Sequence, residues 1–170
     1  SGLIAPHNED TSGLTMPIAW TDPIFLPFNW SETAFIYDET RLKNPPKSFH
    51  ELLDAPDDQK IVIQDPRRSV AGLALLLRRE EEFGAEATAE AWAKLKPKIL
   101  TVTQGWSEAY GMFTDGEADM VLSFTTSPAY HIGAENDTTK HAAIFEEGHY
   151  LLAELAAQLK GSDQPELAQQ

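Results

Sequence analysis

The chain has 170 residues, of which 42% are hydrophobic, a formal net charge of −14 and no cysteine. This size and apolar content suit one globular domain with a real core, whereas the acidic balance and the lack of any cluster of Lys and Arg argue against a nucleic-acid partner. The absence of cysteine excludes disulfides, thiol catalysis and thiolate metal sites, and no apolar run approaches the roughly 18 to 20 residues that a membrane helix needs.

The first third of the chain predicts an irregular lead-in, two strands and a short helix. Residues 1–23 show little periodicity, and two β-rich runs follow at 24–28 and 33–37. A proline inside the first run argues for a sheet edge or a crossing segment. Ser48 with Glu51 forms a capping box, which predicts a helix start.

The middle of the chain alternates between strand and helix patterns. Strands are predicted at 60–64, 99–103 and 119–124, and helices at 69–83, 87–95 and 108–113, with Gly84 ending the first helix. Residues 141–145 predict another short strand, and the Leu and Ala content of 148–157 favours a helix by propensity alone. This order implies an α/β fold with a mostly parallel sheet and helices on both faces.

One stretch, Leu122-Ser-Phe-Thr-Thr-Ser-Pro-Ala-Tyr-His131, reads from a strand end through a cluster of hydroxyls into a helix start. Ser127 suits the N-cap and Pro128 the first helical residue. The free backbone N–H groups of that turn suit an anion, and flanking aromatic rings suit a flat ligand, although an ordinary capped helix has the same pattern. The candidate ligand-binding residues of this stretch are Phe124, Thr125, Thr126, Ser127 and Tyr130.

Three predicted strand exits, at 65–70, 104–107 and 124–127, each place a hydroxyl at or beside a helix start. In open α/β sheets, ligands bind beyond the carboxyl ends of the strands. Trp106 adds a ring face at the second exit. A flat heteroaromatic cation with a hydroxyl or phosphate tail matches this combination of rings and helix starts.

Enzyme motifs are poorly represented. The sequence has no Gly-x-Ser-x-Gly elbow, no P-loop and no Gly-x-Gly-x-x-Gly. His149 with Glu146 or Glu147 is the alternative, since these groups could serve a metal-dependent hydrolase. Adjacent carboxylates on a regular element point in different directions, which favours a solvated turn instead. We therefore predict a protein that is not an enzyme, with no catalytic or metal-binding residues and no cofactor.

Several strings resemble one known family. They are Gln64-Asp-Pro-Arg67 with Ser69, Thr101-Val-Thr-Gln-Gly-Trp-Ser-Glu-Ala-Tyr-Gly111, Leu122 to His131 as written above, and Glu147-Gly-His-Tyr150. In this order they are similar to the thiamine-binding periplasmic proteins of bacterial ABC importers. The resemblance implies a lobe of the type II periplasmic-binding fold, located in the periplasm, that binds thiamine, thiamine monophosphate or thiamine diphosphate and delivers it to an inner-membrane ABC permease.

The resemblance also implies the ligand contacts. They fall on Ser69 and Val70 at the first helix start, Trp106 at the second strand exit, and Phe124, Thr125, Thr126, Ser127 and Tyr130 at the third. The family more often has tyrosine at the position of Phe124, so a hydroxyl is missing there while the ring remains. Other small-solute carriers of the same fold stay an alternative.

The resemblance covers the central portion of the family alone, mainly its second lobe. It implies that 24–37 and 149–157 cross between lobes, and that 1–23 and 158–170 are remnants of a first lobe or connections to it. It makes 149–157 a strand, against propensity, and we predict a strand. A lone lobe offers half a site, so we expect weak or absent thiamine binding by this chain alone, and exposed apolar surface makes self-association an expectation.

Overall fold

The computed structural model describes residues 2–169, with side chains described except at 78–83, 85, 86 and 169. The strands are β1 (Leu26–Asp38), β2 (Ile61–Gln64), β3 (Ile99–Thr103), β4 (Met120–Phe124), β5 (Lys140–Ala143) and β6 (Tyr150–Ala156). The α-helices are α1 (Phe49–Asp54), α2 (Val70–Leu95), α3 (Trp106–Thr114) and α4 (Ser127–Tyr130). Short 3₁₀ turns cover Lys96–Lys98 and Leu167–Gln169, and a π-helical turn covers His131–Glu135.

The chain divides into two compact units. The larger unit is Ser31–Leu151, and the smaller unit combines Ser1–Trp30 with Leu152–Gln170. The chain passes from one unit to the other within β1 and again within β6. Both passages fall inside the segments that the resemblance assigns to inter-lobe crossings, and that assignment stays a prediction.

The sheet has the order β3-β2-β4-β1-β5, and β6 also pairs with β1. β2 is parallel to both β3 and β4, whereas β1 is antiparallel to both β4 and β5. β1 is therefore the reversed strand, and β2, β3, β4 and β5 run in one direction. The predicted α/β fold is confirmed, with a mixed sheet in which the parallel strands share one carboxyl edge.

Alternating strand residues face opposite sides of the sheet and build two apolar clusters. The first cluster joins the strands to α1 and α2 through residues that include Phe35, Ile63, Leu122, Leu52, Leu75 and Leu95. The second cluster joins the other face to α3 through residues that include Ile36, Val62, Val121, Ala109 and Phe113. Helices therefore cover both faces of the sheet, as the sequence predicts.

Helix α2 approaches the end of β2 so closely that only glycine fits at Gly72. A Cβ atom at this position would lie 2.3 Å from the carbonyl oxygen of Gln64 and 3.1 Å from the backbone nitrogen of Pro66. Because both neighbours are backbone atoms, they cannot move aside without moving the strand end. This contact sets where the first turn of α2 lies at the sheet edge.

Of three local predictions, one differs from the structure and two are confirmed by it. The predicted run at 33–37 and the part of the run at 24–28 from Leu26 onward lie in the single strand β1, because the polar residues between them still pair: the Thr125 N–H donates to the Glu32 carbonyl at 2.8 Å. Gly84 interrupts α2 as predicted, with φ of 72°. The strand predicted at 149–157 against propensity is confirmed as β6.

In the smaller unit, the predicted irregular lead-in is largely confirmed. Residues 2–24 have no regular element beyond an antiparallel bridge between Ile4 and Leu159. The Trp20 indole N–H donates to the Phe25 carbonyl at 2.8 Å. Across residues 2–169, no helix combines the length and apolar character that crossing a bilayer requires.

Candidate functional site

The three predicted strand exits meet at one edge of the sheet in the larger unit. β2, β3 and β4 run in the same direction, so their carboxyl ends lie side by side. Gln64 is paired with Thr103 in register, and the Asp65 N–H donates to the Thr103 carbonyl at 2.9 Å. This edge is where ligands bind in open α/β sheets, and it positions every candidate side chain.

At the first exit, Ser69 is the N-cap of α2. Its hydroxyl accepts a hydrogen bond from the Gly72 N–H at 3.4 Å, and its backbone is extended, as expected for a cap. Val70 opens the helix with 63% of its surface exposed. The N-terminus of α2 thus lies at the sheet edge, as the sequence predicts.

Arg67 and Asp65 form an ion pair beside this helix start. Arg67 contacts Asp65 through Nη2 at 2.6 Å and Nε at 2.9 Å. The hydrogen bonds that the Arg67 side chain and backbone donate lower the pKa of Asp65 to about 2. Arg68 Nη1 donates to Gln104 Oε1 at 3.4 Å, which links the first exit to the second.

At the second exit, Trp106 is the first residue of α3, with Gly105 as its N-cap. The sequence predicts a helix from residue 108, and the helix begins two residues earlier because Gly105 adopts the extended conformation of a cap. The indole ring is 40% exposed and stacks on Tyr110 with ring centroids 4.7 Å apart. Its N–H donates to Ser123 Oγ at 2.8 Å, so the ring is held in place while part of it stays accessible.

At the third exit, the hydroxyls of Thr125 and Thr126 point toward β1. Ser31 Oγ lies 3.0 Å from Thr126 Oγ1 and 3.4 Å from Thr125 Oγ1. The Phe124 ring is half-buried and packs against the first apolar cluster. This strand exit therefore combines the hydroxyls of Ser31, Thr125 and Thr126 with the half-buried ring of Phe124.

The prediction that Ser127 caps α4 is wrong. Thr126 occupies the N-cap position with helical backbone angles, φ −84° and ψ −13°, and no side chain caps the helix. The Ser127 hydroxyl instead lies 2.8 Å from Ser123 Oγ and accepts from the Phe124 N–H at 3.4 Å. Its hydroxyl is turned back toward the strand rather than along the helix axis.

Tyr130 lies at the end of α4 with 66% of its surface exposed. Its ring contacts the His131 ring edge-on, with centroids 5.8 Å apart. The structure thus brings Trp106, Ser123 and Ser127 together by direct hydrogen bonds and leaves Tyr130 at the periphery of this group.

Several residues that the sequence interpretation did not assign to the site contact its candidate residues: Ser123 and Tyr110 contact Trp106, and Ser31 contacts Thr126. Tyr110 lies four residues after Trp106, and Glu135 lies four residues after His131, which is the spacing of neighbours on one helix face. That spacing was the available signal for both pairs. Ser123 and Ser31 had no comparable signal, because a buried serine in a strand has no distinctive pattern.

In the alternative hydrolase site, the side chains of His149 and Glu147 hydrogen-bond to backbone groups of the fold. His149 Nδ1 bonds to the Thr33 carbonyl at 2.9 Å, and His149 Nε2 accepts from the Phe145 N–H at 3.0 Å. Glu147 Oε1 accepts from the Phe49 N–H at 2.7 Å, at the start of α1. Both ring nitrogens of His149 are therefore engaged in holding the fold, which does not fit a metal ligand.

A second acidic group places potential ligand atoms of His131, Glu135 and Asp137 within 4.8 Å of one another. Asp137 Oδ2, however, pairs with Lys140 Nζ at 2.9 Å. His131 directs one ring nitrogen to Tyr110 and the other to Glu135. The Lys140 ammonium would repel a cation at this position, and both ring nitrogens of His131 already have hydrogen-bond partners. We therefore assign no metal to this group.

Comparison with known proteins relates the chain to binding proteins. It is 48% identical over 169 residues to the thiamine-binding periplasmic protein of Escherichia coli (strain K12), which covers 99% of the chain and 51% of that protein. It is 43% identical over 159 residues to the thiamine-binding periplasmic protein of Haemophilus influenzae, which covers 94% of the chain and 48% of that protein. The chain thus spans about half the length of the curated relatives it matches.

Solved structures agree. A periplasmic thiamin binding protein superposes with a TM-score of 0.91 at 48% identity, covering 99% of this chain and 52% of that one. Iron-bound HitA from Pseudomonas aeruginosa, at 21% identity and a TM-score of 0.74, shares the fold and covers 99% of this chain and 56% of that one. The family described as bacterial extracellular solute-binding protein matches residues 2–170. The chain belongs to the bacterial extracellular solute-binding protein family.

Proposed function

We propose that this chain is a ligand-binding lobe of the solute-binding component of an ABC importer, and that its solute is thiamine or a thiamine phosphate. The relatives named for thiamine binding support the choice of solute. The observation that supports it within the site is Trp106, a ring that is partly exposed, held by a hydrogen bond to Ser123, and located at the start of α3.

The aromatic residues would bind the rings of the ligand. Thiamine has a cationic thiazolium ring and a flat pyrimidine, which are attracted to aromatic faces by stacking and cation–π interaction. Trp106 offers the open part of its indole, and Phe124 and Tyr130 add aromatic surface. The net charge of −14 favours a cationic solute at long range.

The helix starts would bind the tail. The first turns of α2 and α4 bring unpaired backbone N–H groups to the sheet edge, which suits a hydroxyl or phosphate oxygen. We assign Ser69 and Val70 to this role at one start and Thr125, Thr126 and Ser127 at the other. The Ser127 hydroxyl already bonds within the protein, so its contribution would come from the backbone N–H.

The remaining parts of the proposal concern the whole protein. We propose that 24–37 and 149–157 cross between two lobes, and that 1–23 and 158–170 belong with or connect to a first lobe. The whole protein would act in the periplasm, without catalysis or a cofactor, and would deliver its solute to an inner-membrane permease. A chain that lacks the other half of the cleft would bind weakly, and its exposed apolar side chains would favour self-association.

Titration of the full-length protein with thiamine tests the proposal, with tryptophan fluorescence as the readout. We expect quenching by thiamine, thiamine monophosphate or thiamine diphosphate, and a Trp106→Ala variant that binds about tenfold or more weakly, because ring stacking on a cation is lost. Trp92→Phe is the matched control, since Trp92 packs against the first apolar cluster, and it should retain wild-type affinity.

Two outcomes would contradict the proposal. If thiamine and both of its phosphates leave the fluorescence and the melting temperature of the full-length protein unchanged, the solute is wrong. If thiamine binds and Trp106→Ala retains wild-type affinity while folding normally, the assignment of Trp106 to the ligand is wrong.

A further inference from the structure

Strand β1 carries a carboxylate to the edge of the sheet where the candidate ligand-binding residues lie. Glu32 is paired with the third strand exit, because its carbonyl accepts from the Thr125 N–H at 2.8 Å. Its side chain is partly buried. Within the part of the chain that the structure describes, the Glu32 carboxylate has no hydrogen bond and no ion pair. A negative charge without a protein partner therefore lies at this edge.

Strand register places the Glu32 side chain on the sheet face that α3 covers. Side chains two residues apart on a strand point to the same face, so Glu32, Ala34 and Ile36 share one face. Ile36 belongs to the apolar cluster that joins this face to α3, and Ala34 is paired with Ser123. Ser123 Oγ accepts from the Trp106 indole N–H at 2.8 Å. Glu32 and Trp106 therefore lie on the same side of the sheet.

The spacing brings the carboxylate within reach of the indole. Glu32 is the diagonal neighbour of Ser123 across the antiparallel pair of β1 and β4, since Ala34 is the direct partner of Ser123. Diagonal neighbours on one face have Cβ atoms about 7 to 8 Å apart, a gap that long side chains span. An extended Glu32 side chain can thus place its carboxylate beside the group formed by Ser123 and the Trp106 indole.

Opposite charges lie on opposite sides of the candidate site. Arg67 and Arg68 follow β2, at the first strand exit, where Arg67 pairs with Asp65. In the sheet order β3-β2-β4-β1-β5, strand β4 separates that exit from Glu32 on β1. A solute with a cationic ring and a hydroxyl or phosphate tail fits this arrangement with its tail toward α2 and its ring toward β1.

We propose that Glu32 is the counter-charge for the cationic ring of the solute and a specificity-determining residue of this site. Its carboxylate attracts the cation that stacks on Trp106 and selects against flat solutes that carry no positive charge. The attraction is available to a ligand because no described side chain neutralises the carboxylate. This inference rests on the proposed function, since the cationic ring is the thiazolium of thiamine.

Three substitutions separate charge from shape. Glu32→Gln keeps the size of the side chain and removes its charge, whereas Glu32→Asp keeps the charge and shortens the side chain. The matched control is Glu39→Gln, which makes the same change in net charge just beyond the other end of β1. There, Glu39 Oε2 lies 3.2 Å from His141 Nε2. None of the three substitutions removes a backbone hydrogen bond of β1.

The first readout is thiamine affinity of the full-length protein, measured by isothermal titration calorimetry. We expect Glu32→Gln to bind thiamine about three- to tenfold more weakly, because one charge–charge attraction in a partly buried position is lost. Glu32→Asp should retain more affinity than Glu32→Gln. Glu39→Gln should match the wild type within about twofold, because solvent and salt screen a distant exposed charge.

The second readout needs no thiamine. Tryptophan fluorescence of this chain is quenched at low salt with the cation N-methylpyridinium and, in parallel, with neutral acrylamide. The Trp106 contribution is the part that Trp106→Phe removes. A carboxylate beside the indole concentrates the cation, so Glu32→Gln should lower the Trp106 quenching constant for N-methylpyridinium about twofold and leave that for acrylamide unchanged. Glu39→Gln should leave both constants at the wild-type value.

The outcomes separate this inference from the proposed function. The role of Glu32 is overturned if Glu32→Gln binds thiamine as tightly as Glu39→Gln. It is also overturned if Glu32→Gln changes quenching by both quenchers alike or by neither, because the effect of a charge must be selective for the cation. If the full-length wild type binds no thiamine, the proposed function fails, and the quenching comparison still decides whether Glu32 attracts a cation to Trp106.

Discussion

The contact between α2 and β2 at Gly72 yields the sharpest stability prediction, for the variant Gly72→Ala. The added methyl group would lie 2.3 Å from the Gln64 carbonyl oxygen and 3.0 Å from its carbonyl carbon. Real Cβ atoms do not approach backbone atoms this closely, and neither atom belongs to a flexible side chain. The first turn of α2 must therefore move away from the sheet edge, and Ser69 and Val70 must move with it.

The magnitude follows from two opposing effects. Overpacking costs about 1 to 3 kcal/mol, and contact with backbone places Gly72→Ala near the upper end. Replacing glycine by alanine in a helix recovers about 1 kcal/mol. The expected net loss is about 2 kcal/mol, which lowers the melting temperature of a chain of this size by about 4 to 8 °C.

Thermal and urea unfolding, followed by circular dichroism, measure this loss. Gly111→Ala in α3 is the matched control, because a Cβ atom at Gly111 has no neighbour within 4 Å. We expect Gly111→Ala to be neutral or to gain about 0.5 to 1 kcal/mol. If Gly72→Ala is as stable as Gly111→Ala, the close approach of α2 to β2 does not exist as described.

Two further predictions concern a helix cap and acid stability. Ser48→Ala removes the hydroxyl that accepts from the Glu51 N–H at 3.0 Å, and should cost about 1 kcal/mol in urea unfolding, whereas the exposed Ser107→Ala should change the free energy of unfolding by less than about 0.5 kcal/mol. The pKa of Asp65 is held at about 2 by Arg67. Because the folded state binds this proton less readily than the unfolded state, the stabilisation is present above about pH 4 and is lost as the pH falls toward 2. Asp65→Asn should therefore flatten the fall in stability over that range, and an unchanged slope would show that Asp65 does not contribute.

Local pattern was enough for most elements of the fold. Ser48 and Glu51 predict the start of α1, and in the structure the Ser48 hydroxyl accepts from the Glu51 N–H, whereas the Glu51 carboxylate accepts from the Lys47 N–H instead of the Ser48 N–H. Gly84 predicts the break in α2, because glycine adopts positive φ values that residues with side chains disfavour. In the structure its φ is 72°. Strand segment 149–157 shows the limit of this approach. Its Leu and Ala content favours a helix, and pairing with β1 makes it a strand.

The candidate site was also predictable from the sequence only in part. Strand exits with hydroxyls are visible in the sequence, and parallel strand order is enough to predict that they share an edge. The bonds made by each hydroxyl are not visible. Ser127 has the pattern of an N-cap, but Ser123 on β4 lies within reach and takes its hydroxyl. His131 has no evident partner in the sequence, yet it is buried between Tyr110 and Glu135.

The sequence by itself determined the α/β class, the start of α1, the break at Gly84 and the three hydroxyl-bearing strand exits, because each depends on residues within a few positions of one another. Only the tertiary structure decided that β1 is the reversed strand, that Gly72 must lack a side chain, and that Trp106 is held from behind by Ser123 and Tyr110. These features depend on atoms from separate elements that meet only when the sheet and helices pack, so no local pattern contains them.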